Sequence, residues 1–91
     1  MSQKKHRNAN GDICYIFAWE NGGGNHVYAH SKKGALIRAR LFGKGTHNRD
    51  GYKYKNPIKD RAVLTPLEST IRSVTYGELL EFDEGLRLMT I

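Results

Sequence analysis

Twelve residues of this sequence have the types and spacing to hold a polyanion. Lys32, Lys33, Arg38, Arg40 and Lys44 fall within thirteen positions, and Arg49, Lys53, Lys55, Lys59 and Arg61 follow, with Tyr52 and Tyr54 interleaved. Ammonium and guanidinium groups neutralise phosphates and release condensed counterions, and exposed tyrosine rings stack on unpaired bases. A solvated basic face with both tyrosines turned into the core is the competing use of these residues. Charge balance favours the first. Fifteen Lys and Arg against nine Asp and Glu leave +6, for an isoelectric point near 9.7. The excess is also one-sided: residues 1–61 carry thirteen basic and four acidic side chains, residues 62–91 two and five. Solubility alone does not require that crowding. The partner it implies is RNA or DNA, or a nucleoprotein complex. Glu78, Glu81, Asp83 and Glu84 in the acidic third would touch a second protein or keep the basic surface from wrapping the whole molecule.

Four histidines raise metal and acid/base chemistry. His26 and His30 on one strand would stand about 13 Å apart at roughly 3.3 Å per residue, too far to chelate one ion together. As general acid or base, His30 or His47 with a Lys or Arg to stabilise phosphorane-like charge would give a toxin-like small ribonuclease. That is the leading enzymatic alternative, although no pair of groups has a defining spacing. Gly43-Lys44-Gly45-Thr46 lacks the upstream glycine of a P-loop, and the Asn21–Asn25 glycine turn precedes a strand rather than a helix. Cys14 is the single cysteine, which excludes an internal disulfide and a multi-cysteine zinc site. No cofactor, metal or catalytic residue is therefore expected, and the lone cysteine suits a reducing, cytoplasmic setting. The longest apolar run, Ile13–Trp19, is far short of a membrane span of about 20 residues.

The elements that would position these groups fit one domain, since 91 residues cannot supply two cores. Residues 1–12 hold Lys4, Lys5, His6 and Arg7 and little to bury, and read as a mobile basic arm before a domain over 13–91. Ile13–Trp19 is β-branched, aromatic and apolar on both faces of the pleat, as a central strand must be. His26–His30 alternates, with Val27 and Ala29 on one face and the two histidines and Tyr28 on the other, and reads as the second arm of a hairpin. Ser31 should cap a helix over 32–42 ended by Gly43, with Ala35, Ala39 and Phe42 in one apolar stripe and Ile37 and Leu41 in a second, so packing on more than one side is expected. A strand around Tyr52–Lys55, a short strand at Ala62–Leu64, and helices behind the capping boxes Thr65-Pro66-Leu67-Glu68 and Thr75-Tyr76-Gly77-Glu78 follow. A turn at 83–85 and a closing strand over Leu86–Ile91 complete the order ββαββααβ. The fold class is α+β, with a mostly antiparallel sheet.

The stretch Val27-Tyr28-Ala29-His30-Ser31 followed by Lys32-Lys33-Gly34-Ala35-Leu36-Ile37-Arg38-Ala39-Arg40-Leu41-Phe42-Gly43 resembles the strand, Ser cap and Ala-x-x-x-Ala helix of several small phage-encoded anti-CRISPR proteins. The resemblance covers about a fifth of the chain. It implies a non-enzymatic inhibitor, acting in the host cytoplasm, that docks on a CRISPR surveillance complex and obstructs target DNA by stoichiometric blocking. Some proteins of that group are acidic mimics of nucleic acid; this basic chain would instead touch guide RNA, target DNA or acidic protein patches. A small basic binding protein is thus the expected function. Besides the ribonuclease, a virion or scaffold protein that binds an acidic neighbour is the remaining alternative.

Overall fold

The computed structural model describes residues 4–58 and 61–89. Strand β1 (Ile13–Ala18) is central in a three-stranded antiparallel sheet, flanked by β2 (Gly24–Ala29) and the two-residue β3 (Arg72–Ser73). The hairpin register pairs Ile13 with Ala29, Tyr15 with Val27 and Ala18 with Gly24, and β3 joins through Tyr15–Ser73 and Ile16–Arg72. Helix α1 (Lys32–Gly43) covers one face and helix α2 (Tyr76–Met89) the other. The fold is α+β, a small single domain.

A strand buried on both sides needs apolar residues at every position, and β1 supplies them. Tyr15, Phe17 and Trp19 join Val27 and Ala29 against Ala35 and Ala39 of α1. Cys14 and Ile16 point the other way, to Val74 and to Leu79 of α2, with Tyr28 and Phe82 at the margin. Ser31 caps α1 by accepting from the Gly34 amide at 3.2 Å. Ala35 and Ala39 are fully buried and lack bulk, so the helix axis comes down close to the sheet. Gly43 closes the helix from within, because a Cβ there would collide with the Leu64 carbonyl and crowd the Trp19 ring. Of the expected second apolar stripe of α1, Ile37 is 51% exposed and Leu41 half-buried, so the packing is heaviest on the Ala35–Ala39 side.

The N-terminal segment departs from the expected mobile arm. His6 sits between β1 and the chain beyond β3, its carbonyl accepting from the Cys14 amide at 2.8 Å and its amide donating to the Val74 carbonyl at 2.9 Å. Asn8 closes the turn into β1, its Oδ1 accepting from the Asn10 and Asp12 amides. Backbone ladders and amide side chains do this work, so the lack of apolar residues in 4–12 did not decide its placement.

Corrections also fall in the second half. The segment Thr46–Tyr54 folds back on itself through Asn48 N–H to Tyr52 O and Tyr54 N–H to Thr46 O, with a single bridge at His47–Lys53 in place of the expected strand. Its Arg49 carbonyl accepts from the Tyr28 amide and covers the outer edge of β2. Ala62–Leu64 forms no strand, and Thr65 caps no helix: Pro66 bridges Trp19, the chain stays extended alongside the end of β1, and only a 3₁₀ turn at Glu68–Thr70 follows. The tight docking of Pro66 beside Trp19 overrides the local capping pattern. The Thr75 box does form, reciprocally, with Thr75 Oγ1 accepting from the Glu78 amide and Glu78 Oε1 accepting from the Thr75 amide. The helix it starts runs through Asp83-Glu84-Gly85 to Met89. A turn at 83–85 and a strand from Leu86 are thereby excluded for the described residues; positions 90 and 91 lie outside them.

Candidate nucleic-acid interface

On α1, Lys33, Ile37, Arg40 and Lys44 are spaced four, three and four residues apart and lie on one stripe opposite Ala35 and Ala39. All four are exposed. None of the ion pairs among the described residues engages Lys33, Arg40 or Lys44. Three cations thus surround an outward isoleucine on a helix whose opposite face is locked to the sheet. Lys32 is exposed at the first turn of the same helix.

The remaining candidates divide. Lys53 and Lys55 are exposed, and Tyr52 is 59% exposed, its hydroxyl accepting from Asn10 Nδ2 at 3.0 Å. Tyr54 is half-buried. Arg61 is exposed but bonds the Phe42 and Gly43 carbonyls, satisfying the end of α1. Arg49 donates to Asn25 Oδ1 at 2.7 Å and lies 5.0 Å over the Phe42 ring, where it joins the basic segment to the hairpin. Lys59 lies outside the described residues.

Arg38 is a tie within the fold. Its Nη1 reaches Asp12 Oδ2 at 2.9 Å and the Tyr28 carbonyl, and it packs beneath Gly51. Asp12, at 4% exposure, is the buried carboxylate that compensates it. The second oxygen of Asp12 stands 2.9 Å from Nδ1 of His30, whose side chain is 82% exposed. Among the described residues that oxygen has no hydrogen-bond partner, so the carboxylate is a close charged neighbour of an outward histidine rather than an acceptor that fixes its ring. His47 is elsewhere, its Nδ1 2.8 Å from Thr46 Oγ1.

A second titratable group sits on the α2 side. His6 Nε2 and the Tyr28 hydroxyl are 3.1 Å apart, and Tyr28 meets the rings of both His6 and His26 edge-on. Burial, then the Arg49 guanidinium, holds His26 below its usual range, while burial raises Tyr28. Cys14, fully buried, is pushed up to about 11 by burial and then by Asp83, which leaves a protonated, unreactive thiol. Among the described residues no three His, Cys, Asp or Glu are grouped to hold a metal ion. Among the same residues no helix is long and apolar enough to cross a membrane.

Sequence reasoning missed Asp12, His6, Asn8 and Asn48: His6 ties the N-terminal segment to the sheet and Asp12 ties it to α1, Asn8 holds the turn before β1 and donates to Asp50, and Asn48 closes the 46–54 turn on itself. The run Asn8-Ala9-Asn10-Gly11-Asp12 before an apolar strand carried the available signal: Asn and Asp side chains close turns on their own backbone, and Gly11 takes φ +81°. No protein-family description, no curated protein and no solved structure matches the chain.

Proposed function

We propose that this protein is a non-enzymatic binder of nucleic acid or of a ribonucleoprotein, engaging through the outer face of α1 together with Lys53, Lys55 and Tyr52. The exposed stripe Lys33–Ile37–Arg40–Lys44 carries the reading. Phosphate neutralisation needs cations that are not already engaged with carboxylates, and a rigid helix presents them without a backbone ordering cost at the moment of binding. Arg38, Arg49 and Arg61 leave the contact set, because each is committed inside the fold. A CRISPR surveillance complex is one such ribonucleoprotein; an inhibitor of it would act by occupying a surface, one or a few copies per complex.

The test is fluorescence anisotropy with labelled single-stranded and duplex RNA and DNA across a salt series. Affinity should fall with salt, and Arg40→Glu with Lys44→Glu should abolish binding while the circular dichroism spectrum is unchanged. The opposite reversal, Glu81→Lys with Glu84→Lys on α2, should leave or strengthen it. Salt-independent binding, or full affinity in the α1 double variant, overturns the reading. Titration of purified type I surveillance complexes tests the inhibitor form, with loss of target-DNA binding as the expected result.

The Asp12–His30 pair favours a second reading, a small ribonuclease in which His30 moves a proton at the ribose hydroxyl or leaving oxygen. Cleavage of labelled RNA that His30→Gln removes, with affinity retained, would establish it in place of the first.

A further inference from the structure

Beside the first turn of α1 lies a cleft of ≈ 320 Å³, lined by Lys32, Lys33, Leu36, Glu68 and Ile71. That volume is at the lower end of the roughly 300–1,000 Å³ that small-ligand sites occupy. Its accessible apolar surface is mainly Leu36, which packs on the core; Ile71 lies beneath as a core residue only 3% exposed. Its charged groups are two ammoniums and one carboxylate, and neither lysine is ion-paired with Glu68. Glu68 projects from the 3₁₀ turn, and its residue is exposed.

This combination selects a ligand class. A bare anion would meet Glu68 with the wrong sign, and a plain apolar group would use none of the three exposed charges that rim the cleft. A nucleotide would satisfy all parts: its phosphate on Lys32 and Lys33, its base plane over Leu36, and a hydrogen-donating base edge toward Glu68. Guanine is the base that fits best, because its N1–H and N2–H are adjacent parallel donors that one carboxylate accepts together. Adenine and cytosine place a ring-nitrogen acceptor beside their amino group, and uracil flanks its one N–H with two carbonyls, so each sets an acceptor against the carboxylate.

The geometry points to this cleft as a subsite for one unpaired guanine of a single-stranded nucleic acid, an inference that rests on the proposed function and adds base preference to it. The cations of the α1 stripe would hold flanking phosphates, and Glu68 would choose the base between them.

The experiment compares a nine-nucleotide oligouridine with the same RNA carrying guanine, inosine or adenine at its centre, by anisotropy at fixed salt. Guanine should bind about tenfold tighter than uridine, as one bidentate base contact supplies. Inosine, which lacks the N2 amino group, should fall between them, and adenine should match uridine. Glu68→Ala should bring the guanine-to-uridine ratio close to one; removing a negative charge raises affinity for every RNA, so the ratio isolates the base contact. Glu68 is a surface residue whose side chain makes no hydrogen bond among the described residues, and the variant's circular dichroism should match the parent. Equal affinity for all four RNAs, adenine equal to guanine, or a ratio unchanged in Glu68→Ala overturns the subsite and leaves the basic-face reading standing. No binding of any of the four at low salt overturns both.

Discussion

Helices α1 and α2 lie on opposite faces of the same sheet, and each begins behind a hydroxyl cap, yet they are held by different means. Helix α1 sets two buried alanines and Gly43 against the hairpin, and its flank carries Arg38 to Asp12. Helix α2 buries Leu79, leans Phe82 on the sheet margin, and is fixed at its start by the Thr75–Glu78 box. Their charges are opposite: the outer stripe of α1 is cationic, while α2 carries Glu78, Glu81, Asp83 and Glu84. Close packing by small residues leaves the outer face of α1 free of structural duty, so its cations can be spent on a partner. Helix α2 uses one of its carboxylates to hold itself in place.

The largest effect should come from cutting the tie that fixes α1 to the N-terminal turn. Asp12→Ala leaves the partly buried Arg38 guanidinium without its carboxylate, and breaking such pairs costs about 3 kcal/mol. Arg38→Glu should do comparable harm by setting a second carboxylate beside Asp12. Urea denaturation checks both. If Arg38→Glu loses RNA binding at full stability, Arg38 belongs to the interface and the division drawn between its role and that of Arg40 fails.

Overpacking comes next. Ala39→Leu forces bulk between α1 and the hairpin and should cost about 2 kcal/mol. Leu80→Ala on α2, where the side chain is half exposed, should stay within about 0.5 kcal/mol. Comparable losses from the two would show that α2 is seated as deeply as α1. A smaller change follows from Thr75→Ala, which removes the cap acceptor for the Glu78 amide and should cost about 1 kcal/mol. Hydrogen exchange should place that loss in the first turn of α2 and leave α1 protected.

The contrast between the helices also marks what could be read in the sequence. Both hairpin strands, their inward and outward faces, the Ser31 cap and the Thr75 box follow from local rules that the fold obeys. The same rule, 100° per residue, sets Lys33, Arg40 and Lys44 on one face, but the sequence reading took all the cations on and beside this helix together, Arg38 included. Misreadings cluster where a distant partner decides. Thr65-Pro66-Leu67-Glu68 has a helix-start pattern, but Trp19 holds Pro66 in extended chain. Gly85 and its acidic neighbours suggest a turn, yet the helix absorbs them, and a Cβ at Gly85 would meet nothing. Arg38 is indistinguishable from Arg40 in composition; only the buried Asp12, 26 residues away, separates a structural arginine from a free one. The Glu68 cleft needs α1 and the 3₁₀ turn brought together, which no local pattern announces.

The smallest effect is a pH response confined to the α2 side. His26 lies on that face of the sheet with Arg49, Asp83, His6 and Asp50 as its charged or titratable neighbours, and its affinity for a proton is lowered by folding. An unfolded histidine titrates near about 6.5. The unfolded chain therefore binds this proton first, and stability present above that pH declines as pH falls through the lower folded value. Glu78 shifts downward too, because the Thr75 amide and then Arg72 hold its carboxylate, so its contribution is present above the ordinary glutamate range and is lost at more acid pH. Two steps should result, both loosening α2 before α1. Hydrogen exchange of the α2 amides, followed from pH 7.5 down to about 2.5 and corrected for the intrinsic pH dependence of exchange, should show the first step vanish in His26→Gln and the second persist. If α1 amides lose protection in the same step as those of α2, the two faces of the sheet open together and the independence inferred from their packing is wrong.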